Sequence, residues 1–220
     1  MKTLVVAPHP DDEILGVGGT LLKRKSQGYS LGWLIVTKPS EILEWSDNQK
    51  QIREKQINEI KNKVGFDKLY QLDFYAAKLN QDSLPYLINS ISKIIKDFSP
   101  EEIFFPHIGD VHTDHEIVHK AVVSSSKSFR NQSLKRLIVY ETLSETEFGL
   151  EKTKAFFPNL YVDISLYLNQ KIKLLNIYSS EIGKFPFPRS DESIKALAMY
   201  RGSSSNCLAA EAFQILKQIE

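Results

Sequence analysis

Leu4-Val5-Val6-Ala7 runs directly into Pro8-His9-Pro10-Asp11-Asp12-Glu13, and shortly afterwards into Gly16-Val17-Gly18-Gly19. Four apolar residues without polar alternation suit a strand buried on both faces, as in a parallel sheet. The prolines and acids that follow end the strand and open a loop at its carboxyl end. The pattern recurs at Ile103-Phe104-Phe105, followed by Pro106-His107-Ile108-Gly109-Asp110-Val111-His112-Thr113-Asp114-His115. Leu31–Val36 and Leu137–Tyr140 read as two more buried strands, with a weaker candidate at Leu69–Leu72.

Helical patterns fill the intervals: Leu21–Gln27 stopping at Gly28, Asn48–Val64 stopping at Gly65, Leu84–Phe98 stopping before Pro100, and His115–Lys127. Glycine just past a periodic stretch and proline shortly beyond it are stop signals. Strand and helix alternating at this spacing predict β-α-β units. The fold class expected is therefore α/β, a Rossmann-like doubly wound, mostly parallel sheet with helices on both faces. The last third reads as a helical C-terminal appendage, with helices near 165–179 and 190–200 separated by Phe185-Pro186-Phe187-Pro188. Ser190 before Asp191-Glu192 has the form of a helix N-cap. One domain over 1–220 is expected, its core about 1–145 and its appendage about 146–220.

Composition narrows the function. Twenty-eight Lys and Arg against 27 Asp and Glu leave a charge of +1, without the basic excess of a nucleic-acid binder. A single cysteine, Cys207, cannot close an internal disulfide, which fits a reducing cytoplasm. The apolar start is too short for a signal-peptide core, and no run approaches the ~18 apolar residues of a membrane helix.

Histidine carries most of the chemical information. His107, His112, His115 and His119 crowd one segment, while His9 follows the first strand. In a doubly wound sheet of order 3-2-1-4-5, strands one and four are neighbours, and ligands bind where the winding reverses between them. Both acidic, histidine-rich loops are thereby expected in one crevice. Imidazole with carboxylate suits zinc or a related divalent metal, and one cysteine excludes a thiolate site. Three protein ligands plus water make an open, catalytic zinc site. One of Asp11 and Asp12 is expected to face the metal, leaving the other beside the water as general base. His9, one of these aspartates and His115 are the strongest candidates. His107 and His119 read as structural, His119 because it lies one helical turn beyond His115. Glu13 reads equally as support for the site or as charge at a helix start. Gly16-Val17-Gly18-Gly19 lacks the G-x-G-x-x-G spacing of a dinucleotide site, and the acids at 11–13 repel a pyrophosphate. These glycines are expected to bring the helix close to the sheet.

Pro8-His9-Pro10-Asp11-Asp12-Glu13 and His112-Thr113-Asp114-His115 together resemble the two signatures of the PIG-L/LmbE-like family of metal-dependent N-deacetylases. The resemblance extends to Gly16–Leu22, Arg53-Glu54, and Asp163-Ile164 with Lys171 and Tyr178-Ser179-Ser180. It continues through Arg189-Ser190 to Arg201-Gly202 and in Ala210-Glu211-Ala212-Phe213. It implies His9, Asp12 and His115 as ligands of Zn2+, or of another divalent metal such as Fe2+. It further implies Asp11 as general base, His112 as the electrophilic or acid histidine, in protonated form, and Asp114 as the residue orienting it. Arg53 and Arg189 are implied substrate contacts, although a solvated helix position or a surface salt bridge also accommodates them. The implied activity is removal of an N-acetyl group from a small, polar, amino-sugar-containing substrate, a glycoside or nucleotide sugar. Two stretches depart from the family pattern, Thr37-Lys38-Pro39-Ser40-Glu41 and Tyr75-Ala76-Ala77-Lys78. Both are expected near the substrate, where they would alter its choice. The competing readings are a metal-dependent hydrolase of another amide or ester, and an inactive metal-dependent sugar-binding protein. Trp45 and Phe185 are aromatic candidates for a substrate cleft or a subunit contact.

Overall fold

The chain, seen in a computed structural model, is described over residues 1–39 and 45–220. Four strand-helix repeats and a fifth strand open it. They are β1 (Lys2–Ala7), α1 (Asp12–Ser26), β2 (Ser30–Lys38), α2 (Asp47–Val64), β3 (Lys68–Tyr75), α3 (Leu84–Phe98), β4 (Glu102–Pro106), α4 (Thr113–Ser125) and β5 (Arg136–Tyr140). Then follow β6 (Leu160–Asp163), α5 (Leu168–Leu175), α6 (Asp191–Ser203) and β7 (Ala210–Gln218).

Side chains alternate across a strand, so β1 sorts its residues to two faces. Val5 and Ala7 join Ile14, Val17 and Leu21 of α1, Ile57 and Ile60 of α2, and Ile172 of α5 in one core layer. Leu4 and Val6 join Ile91 and Ile95 of α3 and Val118 and Val122 of α4 in the other. Burying a side chain of this size contributes on the order of 1.5–3 kcal/mol. Two such layers hold the sheet between helices on both faces.

The sheet order is β3-β2-β1-β4-β5-β7-β6. All pairings from β3 to β5 are parallel. The winding therefore reverses between β1 and β4, as the sequence predicts, and their carboxyl ends open on the same crevice. Gly16 permits α1 to lie against the sheet, because a Cβ there would collide with the ring of Tyr140. The Tyr140 hydroxyl in turn donates to the Val6 carbonyl at 2.9 Å. Gly65 ends α2 in a left-handed conformation with φ 81°, and Ser190 Oγ caps α6 by accepting from the Ser193 amide at 3.1 Å. Both match the expected stop and start.

The last third differs from a purely helical appendage. It contains the two expected helices, α5 shorter than the pattern suggested, but also two strands. β7 runs antiparallel to β5, and β6 antiparallel to β7. The signal is weak for a physical reason. β6 has only four residues, and β7 carries Glu211, Gln214, Lys217 and Gln218 in a stretch buried only in its first half. Among the described residues, no helix is long and apolar enough to cross a membrane.

Candidate metal centre

The loop after β1 is bent tightly. Asp11 has φ 140°, a conformation that L-residues rarely adopt and that costs on the order of 1–3 kcal/mol. Several partners hold it there. The Asp11 amide donates to Glu13 Oε2 at 3.0 Å, and Tyr178 donates its hydroxyl to Glu13 Oε1 at 2.9 Å. Arg53 Nη1 donates to the Pro10 carbonyl at 2.8 Å, while Nη2 reaches Ser180 and Glu181. Thr37 Oγ1 donates to the Pro8 carbonyl at 2.8 Å. Held this way, the loop turns Asp12, the first residue of α1, inward, and its Oδ2 accepts from the His9 amide at 2.9 Å.

The loop after β4 is organised largely by its own residues. His112 caps α4, its Nδ1 accepting from the Asp114 amide at 3.1 Å. Asp110 Oδ2 lies 2.7 Å from His115 Nδ1, and Asp110 Oδ1 accepts from Thr146 Oγ1 at 2.6 Å. The Asp114 carboxylate accepts from the Ala77 amide at 2.7 Å and the Leu79 amide at 3.2 Å. It also lies 3.1 Å from His9 Nε2.

The two loops converge on Asp12 Oδ2. His9 Nδ1 and His115 Nε2 each lie 3.3 Å from it. These three residues form a group able to hold a metal ion. The donor set fits a divalent cation: two imidazole nitrogens and one carboxylate oxygen face each other, and each histidine has its other nitrogen on a carboxylate. Asp114 holds His9 and Asp110 holds His115, the carboxylate–histidine arrangement that fixes the tautomer and orientation of metal-binding imidazoles. A second grouping, His9 with His112 and Asp114, is also close enough. It suits an ion less well, because Asp114 already accepts two backbone amides and His112 Nδ1 accepts a third.

Charge follows the same geometry. Burial opposes ionisation of Asp12, but His115 and His9 overcome it and hold the carboxyl well below the usual range. Burial likewise opposes protonation of His9, yet its bonds to Asp114 and Asp12 push it up to about 9. Burial and the neighbouring Asp12 raise Asp11 to about 7. Burial, with the charges on His9 and His115, lowers His112 to about 4.

Two observations bear on the roles expected of Asp114 and His112. Asp114 does not grip His112 by its carboxylate: Oδ2 is 4.0 Å from His112 Nδ1 and nearer to His9. Nor does the site favour protonated His112, since Nδ1 already accepts an N–H and the ring is desolvated among other positive groups. Arg53 and Arg189 both line the chamber at the site, which measures about 260 Å³, and the Nη atoms of both are engaged by protein groups. Arg189 Nη1 is 2.7 Å from Asp11 Oδ2, Nη2 is 3.4 Å from Glu145, and Glu181 is 3.8 Å away. A guanidinium facing three carboxylates is positioned to hold Asp11 rather than to bind an anion. Arg201 pairs with Glu141 through two bonds of 2.9 and 2.6 Å.

His107 and His119 stay outside the cluster, bonded to the carbonyls of Lys154 at 2.6 Å and Pro106 at 2.9 Å. Sequence reasoning missed Asp110, Glu145, Tyr178 and Glu181 as members of the site. Asp110 left a local signal, a carboxylate five residues before His115, and Tyr178 stands in the Tyr178-Ser179-Ser180 stretch of the family resemblance. Thr37, Lys38, Pro39, Ala76 and Ala77 border the chamber, as expected for the two departing loops, whereas Ser40 and Glu41 lie outside the described residues. Trp45 lines the chamber against Arg53, 5.2 Å from ring to guanidinium, and Phe185 is 65% exposed away from it.

Fold and site together define an α/β protein with a His–Asp–His group able to hold a cation, beside the Asp11 carboxylate, at the switch point of a doubly wound sheet. The chain belongs to the PIG-L family, whose description is GlcNAc-PI de-N-acetylase and whose model matches residues 4–126. It is 30% identical over 129 residues to a probable N-acetyl-alpha-D-glucosaminyl L-malate deacetylase 2 of Bacillus cereus. That match covers 54% of this chain and 58% of the relative. It is 25% identical to the diacetylchitobiose deacetylase of Thermococcus kodakarensis over 99% of this chain and 84% of that one. A solved structure of a conserved protein from Thermus thermophilus superimposes with a TM-score of 0.80 at 27% identity. That superposition covers 99% of this chain and 96% of the other.

Proposed function

We propose that this protein is a zinc-dependent N-deacetylase that hydrolyses the acetamide of a small, polar, amino-sugar-containing substrate, a glycoside or nucleotide sugar, to acetate and a free amine. The observation that carries this reading is the convergence of His9, Asp12 and His115 at one point, with Asp11 left beside it. The chemistry of the donor set supports zinc, with ferrous iron as the alternative that the same ligands would hold. The substrate class is supported by the family and by the amino-sugar deacetylases among the relatives.

Zinc at these ligands would supply Lewis acidity and bring the pKa of water down to about 7. Asp11 then acts as general base, its burial raising its affinity for the proton it must take. Arg189 holds Asp11 Oδ2, which leaves Oδ1 to work. His112 has Nδ1 filled by the Asp114 N–H, so its single proton resides on Nε2. That makes it a neutral donor to the acetamide oxygen as negative charge develops there, an interaction strongest in the transition state. A neutral ring has no spare proton for the leaving nitrogen. Asp11 returns the one it took, the C–N bond breaks, and the amine leaves.

The chamber at the site continues past Trp45, Lys38 and Arg53 into a second space of about 490 Å³, lined by Ile35, Ile57, Leu72 and Tyr75. This space would take the part of the substrate attached to the amino sugar. Cytoplasmic residence is supported by the lone Cys207, and a single domain by the one continuous sheet. The test is acetate release from a panel of N-acetylated amino sugars, including glycosides and nucleotide sugars, with and without a chelator. Release that stops on metal removal and returns with zinc is the expected result; release undiminished by thorough metal removal overturns the mechanism.

A further inference from the structure

Two residues that the proposed chemistry does not use, Lys171 of α5 and Glu211 of β7, meet in the interior on the backbone of α1. Both are buried, at 6% and 5% exposure. Lys171 Nζ lies 2.7 Å from Glu211 Oε1 and donates to the Leu15 carbonyl at 2.8 Å. Glu211 accepts from two successive amides in the middle of the same helix, Gly19 at 2.8 Å and Thr20 at 2.7 Å. In an uninterrupted helix the Leu15 carbonyl and the Gly19 amide would be each other's partners. Here each has a charged group of the last third on it. Lys171 and Glu211 thus grip the backbone of α1 at Leu15, Gly19 and Thr20, just beyond the turn that carries Asp12.

The glycines of α1 make this possible. A Cβ on Gly18 would come 3.2 Å from Lys171 Cγ, and one on Gly19 would come 2.8 Å from Ile164. The helix accepts the low helix propensity of glycine so that side chains from the last third can reach its backbone. Polar groups inserted into a helical ladder are a recognised cause of a change in direction along a helix. The turn they set off is the one that carries the Asp12 carboxylate to His9 and His115.

We propose that Lys171 and Glu211 are a positioning pair for the metal centre, fixing the first turn of α1 so that Asp12 meets the two histidines. The proposal rests on the reading of His9, Asp12 and His115 as a zinc site. It also gives the last third a second part in that chemistry, beside Arg189, which holds Asp11.

The test uses the full-length chain and zinc itself. Glu211→Gln, Lys171→Met and the double variant keep the side-chain volumes, and the double variant leaves no unpaired buried charge. In folded protein, checked by circular dichroism, zinc affinity measured against a chelating indicator should weaken by about 10-fold or more, the range seen when groups outside the ligand shell are removed. A merely structural pair would lower the melting temperature and leave the affinity of the folded protein unchanged; that result overturns the proposal. A second measurement needs no variant, because coupling between two sites is reciprocal. In the unaltered protein, zinc should slow hydrogen exchange at the Gly19 and Thr20 amides by more than it slows exchange in the β5 core. An equal slowing contradicts the pair's role. Failure of the unaltered protein to bind zinc at all would instead remove the metal-site reading on which the proposal stands.

Discussion

The loop after β1 and the loop after β4 face each other across one crevice, yet they are held by different means. The β4 loop is largely self-supporting: His112 caps its own helix two residues on, and Asp110 holds His115 five residues on. The β1 loop depends on residues far along the chain. Arg53, Tyr178 and Arg189 lie 43, 165 and 178 positions from the groups they contact. It also carries a strained backbone, at Asp11 with φ 140°. A ligand loop can be locally stiff, whereas a loop that must also aim a base needs support from outside itself. On this account the supports inside the β4 loop bear on how tightly His115 holds metal, and Arg53, Tyr178 and Arg189 around the β1 loop bear on how well the base works. His9 and Asp12 of the β1 loop complete the ligand set.

The comparison breaks most visibly at Asp11. Asp11→Asn should lower turnover by ~10²–10⁴-fold, the usual worth of a positioned acid-base group, while zinc content measured by atomic absorption stays at the normal level. Full activity would remove Asp11 from the base role.

Acid should act on the metal as well as on the base, Asp11 being raised to about 7. The His9 proton, held up to about pH 9, must leave before a cation can be bound there. Below that pH, each unit of acidification weakens zinc binding by about tenfold per proton displaced, and His115 is also held well above its ordinary value, so the affinity should rise by at least ~100-fold from pH 6.5 to 8.5. A flat profile would show that His9 is not a ligand.

Asp110→Asn, on the self-supporting side, should weaken zinc binding by ~10–100-fold while kcat of the zinc-saturated enzyme changes little. Tyr178→Phe, on the other side, should do the reverse, lowering kcat by about tenfold at nearly unchanged zinc affinity because Glu13 and Asp11 lose their anchor. If both variants moved the same parameter, the division between the loops would fail. The smallest effect is expected at His119, whose ring bonds only the Pro106 carbonyl among the described residues. His119→Leu should cost about 1 kcal/mol of stability in chemical denaturation, with zinc affinity and kcat intact.

The same asymmetry explains what the sequence disclosed. Buried parallel strands announce themselves by unbroken apolar runs, and the switch point follows from their order, so residue order alone brings both loops to one crevice. The His–Asp–His group is legible because its ligands sit in two compact motifs. Its supports are not. Tyr178, Glu181 and Arg189 reach the site through a fold of the last third that no local periodicity encodes. Within that third, β7 hides behind a buried Glu211 that reads as surface until its two amide donors are seen. The surroundings of Asp114 are hidden for a similar reason: its neighbour in sequence is His112, to which its amide donates, but its carboxylate is turned by the Ala77 and Leu79 amides towards His9.

Equilibrium dialysis with zinc tests the central claim most directly. The unaltered chain, Asp11→Asn and His112→Ala should each retain one zinc per chain at a fixed low free concentration. Asp12→Ala and His115→Ala should retain essentially none. Equal zinc in all five proteins, or none in the unaltered one, would contradict the account.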